Sequence, residues 1–127
     1  MKNLAILLFS ILISFNSYGE WTEIAEGTRG NIYYIDTDTI KQEHGGYVYW
    51  RELVDLVKPD KDGDISVKIY SQGDCEVNRY KRLSLNWYKE PMGGGSARAY
   101  NPTEKWEYPL PNDASGILLD YVCSCLR

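Results

Sequence analysis

Tyr47-Val48-Tyr49-Trp50-Arg51-Glu52-Leu53-Val54-Asp55-Leu56 is the longest strand signal in the chain. Alternation places Val48, Trp50, Val54 and Leu56 on one face and Tyr47, Tyr49, Arg51 and Asp55 on the other, the pattern of a half-buried strand. Glu52 is the exception, a carboxylate on the apolar face.

The segments around this strand repeat its period. Upstream, Trp21–Ala25 alternates, Gly27–Gly30 turns, and Asn31–Ile35 is a β-branched and aromatic run. Asp36-Thr37-Asp38-Thr39-Ile40 reads as a turn, because short side-chain oxygens bond nearby backbone N–H groups, and His44-Gly45-Gly46 makes the next one. Downstream, Pro59–Asp64 is a polar connection, after which Ile65, Val67 and Ile69 alternate with Ser66, Lys68 and Tyr70 as far as Asp74-Cys75. Arg79–Tyr88 follows with Leu83, Leu85 and Trp87 on one face, Pro91–Gly95 turns, and Ala97–Tyr100 is a short last strand. Asn101–Asn112, with its prolines, is an irregular crossing pinned by Trp106 and Tyr108. The period then changes. Asn112 or Asp113 is placed to cap a helix over Ser115–Cys125, with Leu118, Leu119, Val122 and Leu126 on one arc. Consecutive strands joined by short turns predict an α+β fold: an antiparallel sheet of about five to six strands with a C-terminal helix packed on one face. The expected core includes Trp50, Val54, Val67, Ile69, Leu85, Leu118 and Val122.

The N-terminus has a separate purpose. Lys2 precedes the uncharged run Leu4–Phe15, and Ser17 and Gly19 supply small residues before a cut at Glu20. That is the pattern of a secretory signal peptide over residues 1–19, and the run is shorter than the roughly 20 apolar residues of a membrane-spanning helix. No cysteine lies near the cut to accept a lipid. Residues 20–127 are then a single exported domain, periplasmic or at the cell surface, with no membrane span after cleavage and no lipid anchor.

A formal net charge of −4 argues against nucleic-acid binding, which needs a basic footprint on phosphate. The aromatic complement is Tyr- and Trp-rich, and both phenylalanines lie in the leader, so the domain's aromatic surface carries polar handles. Cys75, Cys123 and Cys125 enter an oxidising compartment, which predicts one disulfide and one leftover thiol. Cys75 is one partner, because joining Cys123 to Cys125 would strain a tight ring. Helix geometry lets either Cys123 or Cys125 face the sheet.

Few residues are arranged for chemistry. Asp60-Lys61-Asp62-Gly63-Asp64 lacks the Gly and Glu positions of a calcium loop and reads as a hairpin turn. His44, the only histidine, sits beside two glycines in a turn, a poor place to fix an imidazole for catalysis. Scattered Cys and His do not make a zinc set, and Gly93-Gly94-Gly95 lacks the Lys and Ser/Thr of a phosphate loop. No enzymatic activity, cofactor or metal is expected. The Arg79-Tyr80-Lys81-Arg82 cluster, by alternation, sends Arg79 and Lys81 to one face and Tyr80 and Arg82 to the other. Tyr47, Tyr49, Arg79, Tyr80, Lys81 and Arg82 are the expected partner-binding residues, since Tyr and Arg combine contact area with directed hydrogen bonds.

Several segments in order resemble the bacterial surface-adhesin E-like family: Trp21, Tyr33-Tyr34-Ile35-Asp36-Thr37-Asp38-Thr39-Ile40, Tyr47–Asp55, Lys68-Ile69-Tyr70 leading to Asp74-Cys75, Gly93-Gly94-Gly95, Trp106 before Pro109, and Tyr121-Val122-Cys123. The resemblance implies an antiparallel sheet whose C-terminal helix is tied down by a Cys75–Cys123 disulfide, leaving Cys125 as an addition. It implies a non-catalytic protein that contacts host matrix or plasma proteins such as laminin, vitronectin and plasminogen, as a possible homodimer. The best-known member is a lipoprotein, whereas this chain has no lipid-acceptor cysteine. The alternative function is a periplasmic helper, such as an inhibitor or envelope-complex subunit, with no adhesive role.

Overall fold

The computed structural model describes residues 21–126; the expected signal peptide lies outside the described residues. Six strands run in sequence order across one antiparallel sheet. They are β1 (Trp21–Glu26), β2 (Ile32–Gln42), β3 (Val48–Asp55), β4 (Ser66–Asp74), β5 (Arg79–Glu90) and β6 (Gly94–Tyr100). Among the described residues one α-helix, α1 (Ala114–Ser124), follows the sheet. The expected α+β class and strand series hold, and the decisive stretch is β3, near the middle of the sheet. Among the described residues no helix is long and apolar enough to cross a membrane.

Two apolar clusters occupy the helix side of the sheet. Leu118, Leu119, Val122 and Cys123 of α1 pack on Ala25, Ile35, Val48, Trp50 and Tyr80. Val54, Val67, Ile69 and Leu85 form the second cluster, with Tyr33, Leu56 and Trp87 against it. All the expected core residues are buried. Leu119 has no exposed surface, and burying such a side chain stabilises by about 1.5–3 kcal/mol. Gly73 in β4 permits the close fit: a Cβ there would stand 2.8 Å from both Leu119 and Trp50. The Cys75–Cys123 disulfide fastens the end of β4 to α1, and Cys125 is free and exposed. The helix arc alone left that choice open; the structure takes Cys123, which is buried beside Val122.

Several local expectations change in three dimensions. Asp36–Ile40 is no terminating turn but a bulge within β2: Asp36 pairs Arg51, and the next pair is Lys41 with Tyr49. Its short side chains still bond backbone as expected, with Asp38 N–H donating to Asp36 Oδ1 and the Thr39 hydroxyl to Asp36 O. The register between β4 and β5 also slips, Tyr70 pairing Ser84 and Ser71 pairing Arg82. Leu83 is the extra residue, so it leaves the Leu85 and Trp87 row, and Tyr80 joins their face instead. Asp113 is the N-cap of α1, as expected, but its carboxylate accepts from Leu110 N–H and not from a helix N–H, and Leu126 falls beyond the buried arc. Trp106 pins the crossing, while Tyr108 is 66% exposed.

Candidate binding face

The side of the sheet away from α1 carries a ladder of aromatic and charged residues. Directly paired residues of antiparallel strands share a face, so the rung Trp21–Asp36–Arg51–Tyr70–Ser84 crosses five strands on this side. The neighbouring rung, Tyr49–Gln72–Lys81, lies on the same side, as does the pair Asp74–Arg79. Tyr49 stacks on Tyr70 with ring centroids 6.0 Å apart, and the Arg51 guanidinium lies 4.8 Å above the Tyr70 ring.

At one end the crossing segment folds onto this face. Trp106 lies 5.6 Å from Tyr47, with Arg79 at 4.1 Å and Lys81 at 4.8 Å from its ring centroid. The backbones of Tyr80 and Glu107 exchange two hydrogen bonds that hold the crossing along β5. Carboxylates complete the clamp: Arg79 pairs Asp74 at 3.1 Å and Lys81 pairs Glu104 at 3.7 Å. Each cation touches an aromatic face on one side and an acid on the other, which fixes the Trp106 ring in place.

The structure therefore brings Tyr47, Tyr49, Arg79 and Lys81 together on one open face. It does not bring Tyr80 and Arg82 to them. Tyr80 is 8% exposed beneath α1, its hydroxyl pKa pushed up chiefly by burial, and it has no surface to give a partner. Arg82 lies on the same side as Tyr80, paired with Glu107 at 3.7 Å. Alternation in the sequence separates these pairs correctly, but Glu104, Trp106 and Glu107, which hold them, come from the distant crossing segment, and Asp74 from the neighbouring strand. Trp106 and Tyr70 were not among the expected site residues; an isolated aromatic in a proline-rich crossing has no periodic neighbours to mark it.

Glu52 finds its reason on the helix side. It is 6% exposed and accepts hydrogen bonds from the Trp50 indole N–H and the Ser71 hydroxyl, each at 3.1 Å. Burial raises its pKa above the ordinary carboxylate value; the nearby Arg82 charge and these two donors pull the other way without cancelling it. A raised folded-state value means stability is fully present below the unfolded value near 4.5 and declines as pH rises through the folded one. Glu52→Gln keeps a carbonyl acceptor for both donors and removes the titration. Its urea midpoint is expected to gain on the parent's as pH rises from 4.5 towards neutrality. Parallel midpoint-against-pH curves for the two proteins would refute this.

The acidic turn carries its own counter-charges. Asp60, Asp62 and Asp64 carboxylate oxygens lie within 4.8 Å of one another. Buried Asp64 accepts from Arg98 at 2.7 Å and pairs with Lys89 at 3.1 Å. The Arg98 guanidinium holds its carboxyl below the usual range against the opposing effect of burial. Lys89 and Arg98 supply the counter-charge to Asp64, and the segment is the hairpin turn expected of it.

The sequence pattern of the surface-adhesin protein E family matches residues 21–124. The chain belongs to that family. The fold of this surface-adhesin protein E domain is similar to crystal form II of Haemophilus influenzae protein E, at 18% identity over 83% of this chain and 87% of that one, with a TM-score of 0.62. Protein E from non-typeable Haemophilus influenzae is similar at 18% identity over 82% and 75% of the two chains, with a TM-score of 0.61. No curated protein matches the sequence. At that identity the structural likeness concerns the fold: sheet and C-terminal helix are common ground, and the residues on the open face must be judged on their own geometry.

Proposed function

We infer that this surface-adhesin protein E domain is a non-catalytic binding protein, exported with removal of residues 1–19, that engages a partner protein through the helix-free face of its sheet. Family membership supports adhesion as the class of function. The observation that carries the reading is the fixed aromatic–cation assembly of Tyr47, Trp106, Arg79 and Lys81 beside the Tyr49–Tyr70–Arg51 stack. Its rings are held by neighbouring charges before any partner arrives, so little side-chain entropy is lost on binding. Host matrix or plasma proteins are the proposed partners.

Immobilised laminin, vitronectin and plasminogen test it. Tyr47→Ala with Tyr49→Ala is expected to weaken binding roughly thirty-fold or more at any salt concentration, the scale of about 2 kcal/mol for a buried aromatic anchor. Arg79→Gln with Lys81→Gln is expected to act mainly at low ionic strength, where unscreened charge steers encounter. If both variants bind as the parent does, this face is a solvated sheet surface and no more. Biotinylation of intact cells separates adhesion from a periplasmic role: label on the protein supports the first, and protection until the outer envelope is opened supports the second.

A further inference from the structure

Beyond the Trp106 clamp, the same face sinks into a concavity of about 370 Å³ between Trp21, Arg51, Lys68, Tyr70 and Tyr88. The cations of β3–β6 divide sharply here. Arg79, Lys81, Arg82, Lys89 and Arg98 each pair with a carboxylate. Among the described residues Arg51 and Lys68 pair with none, and both line this concavity. Their neighbours are rings: Arg51 lies over Tyr70, and the Lys68 ammonium stands 5.1 Å from the Tyr88 centroid and 5.9 Å from that of Trp21. Short polar groups complete the lining, with Ser84 and Asn86 on β5 and the Asp36 carboxylate on β2.

We propose that this concavity is a binding site for an acidic sugar residue, one bearing a carboxylate or a sulfate. Two unpaired cations call for an anionic group, and charge-assisted bonds to it are the strong ones. Aromatic faces on opposite sides call for a flat, partly apolar body. A pyranose ring has both, with an axial C–H face for Trp21, Tyr70 or Tyr88 and hydroxyls for Ser84 and Asn86. Asp36 narrows the choice. A carboxylate beside the cations repels a simple polyanion and accepts from a ligand that carries hydroxyl donors beside its acid. An acidic peptide fits less well. The concavity lies over the interior of the sheet, where the rung from Trp21 to Ser84 is already paired on every strand, so an extended chain gains no main-chain hydrogen bonds. The size suits a small ligand rather than a protein surface.

Trp21 supplies the readout. Sialyllactose, bearing a carboxylate, and a heparin disaccharide, bearing sulfates, are titrated against the domain by tryptophan fluorescence, with lactose and triglutamate alongside. At least one acidic sugar is expected to bind ten-fold or more tightly than either lactose or triglutamate, and which one does so identifies the acid. Arg51→Gln with Lys68→Gln is expected to abolish that preference, and Arg79→Gln with Lys81→Gln, on the same face but outside the concavity, to leave it intact. Equal binding of lactose overturns the proposal, as does triglutamate matching the sugars or an equal loss in both cation variants. Tyr47→Ala alone, at a residue outside the concavity's lining, separates this site from partner-protein binding, since that variant is expected to keep the sugar.

Discussion

Replacing Cys75 and Cys123 together with serine is expected to lower the unfolding free energy by about 4 kcal/mol, a large share of what a small domain has. The bridged residues are 48 apart in sequence, and closing a loop of that length lowers the entropy of the unfolded chain. The loss should exceed that of a surface link, because Cys123 is buried within the α1 contact and its sulfur fills core volume. With urea slopes of about 1–3 kcal/mol per molar, the midpoint should fall by more than about 1 M. Cys125→Ser is the control: its thiol is exposed and unbridged, so the midpoint should hold. A double variant as stable as the parent would show that the sheet–helix contact suffices without the bridge.

Gly116→Ala should destabilise, against the ordinary preference. In a helix interior alanine is favoured over glycine by about 1 kcal/mol, so a gain would be expected if only the helix mattered. Here an added Cβ falls inside the contact distance of the Leu110 carbonyl oxygen and lies 3.5 Å from Pro111 Cα. Both are backbone atoms, and no side-chain rotation relieves them. Overpacking of this kind costs about 1–3 kcal/mol, enough to reverse the sign, and Gly116→Val should be worse. Chemical denaturation of the alanine variant decides it; equal or greater stability would mean the Pro109–Pro111 segment shifts freely. The same segment leads back to Trp106, so the alanine variant should also loosen the Tyr47–Arg79–Lys81 clamp and weaken partner binding.

What was legible in the sequence was whatever depends on near neighbours. Alternation in Tyr47–Leu56 gave β3 and its faces, and the change of period after Asn112 gave α1. Register slips were not legible. Leu83 looks like one more core residue until the β4–β5 pairing is known, and Asp36–Ile40 has the composition of a turn while serving as a bulge inside a strand. Glu52 stood out as a misfit, but its donors lie two residues away on one strand and across to Ser71 on another. For the candidate face, the split of Arg79 and Lys81 from Tyr80 and Arg82 follows from period two alone. The difference between paired and unpaired cations does not: it depends on Asp74, Glu104 and Asp64 arriving from other segments.

The strand order also bears on when the protein can finish folding. Each strand pairs with its sequence neighbours, so hairpins can form as the chain lengthens, with short loops to close. The helix is different: α1, made last, contacts β1, made first, as well as β2 and β3. Until Ala114–Ser124 arrives, Ile35, Val48 and Trp50 have no lid and the early hairpins remain wet and weakly held. Docking of α1 and bridging of Cys75 to Cys123 both wait for Ala114–Ser124, so the covalent lock closes only on a sheet whose strands are already laid out.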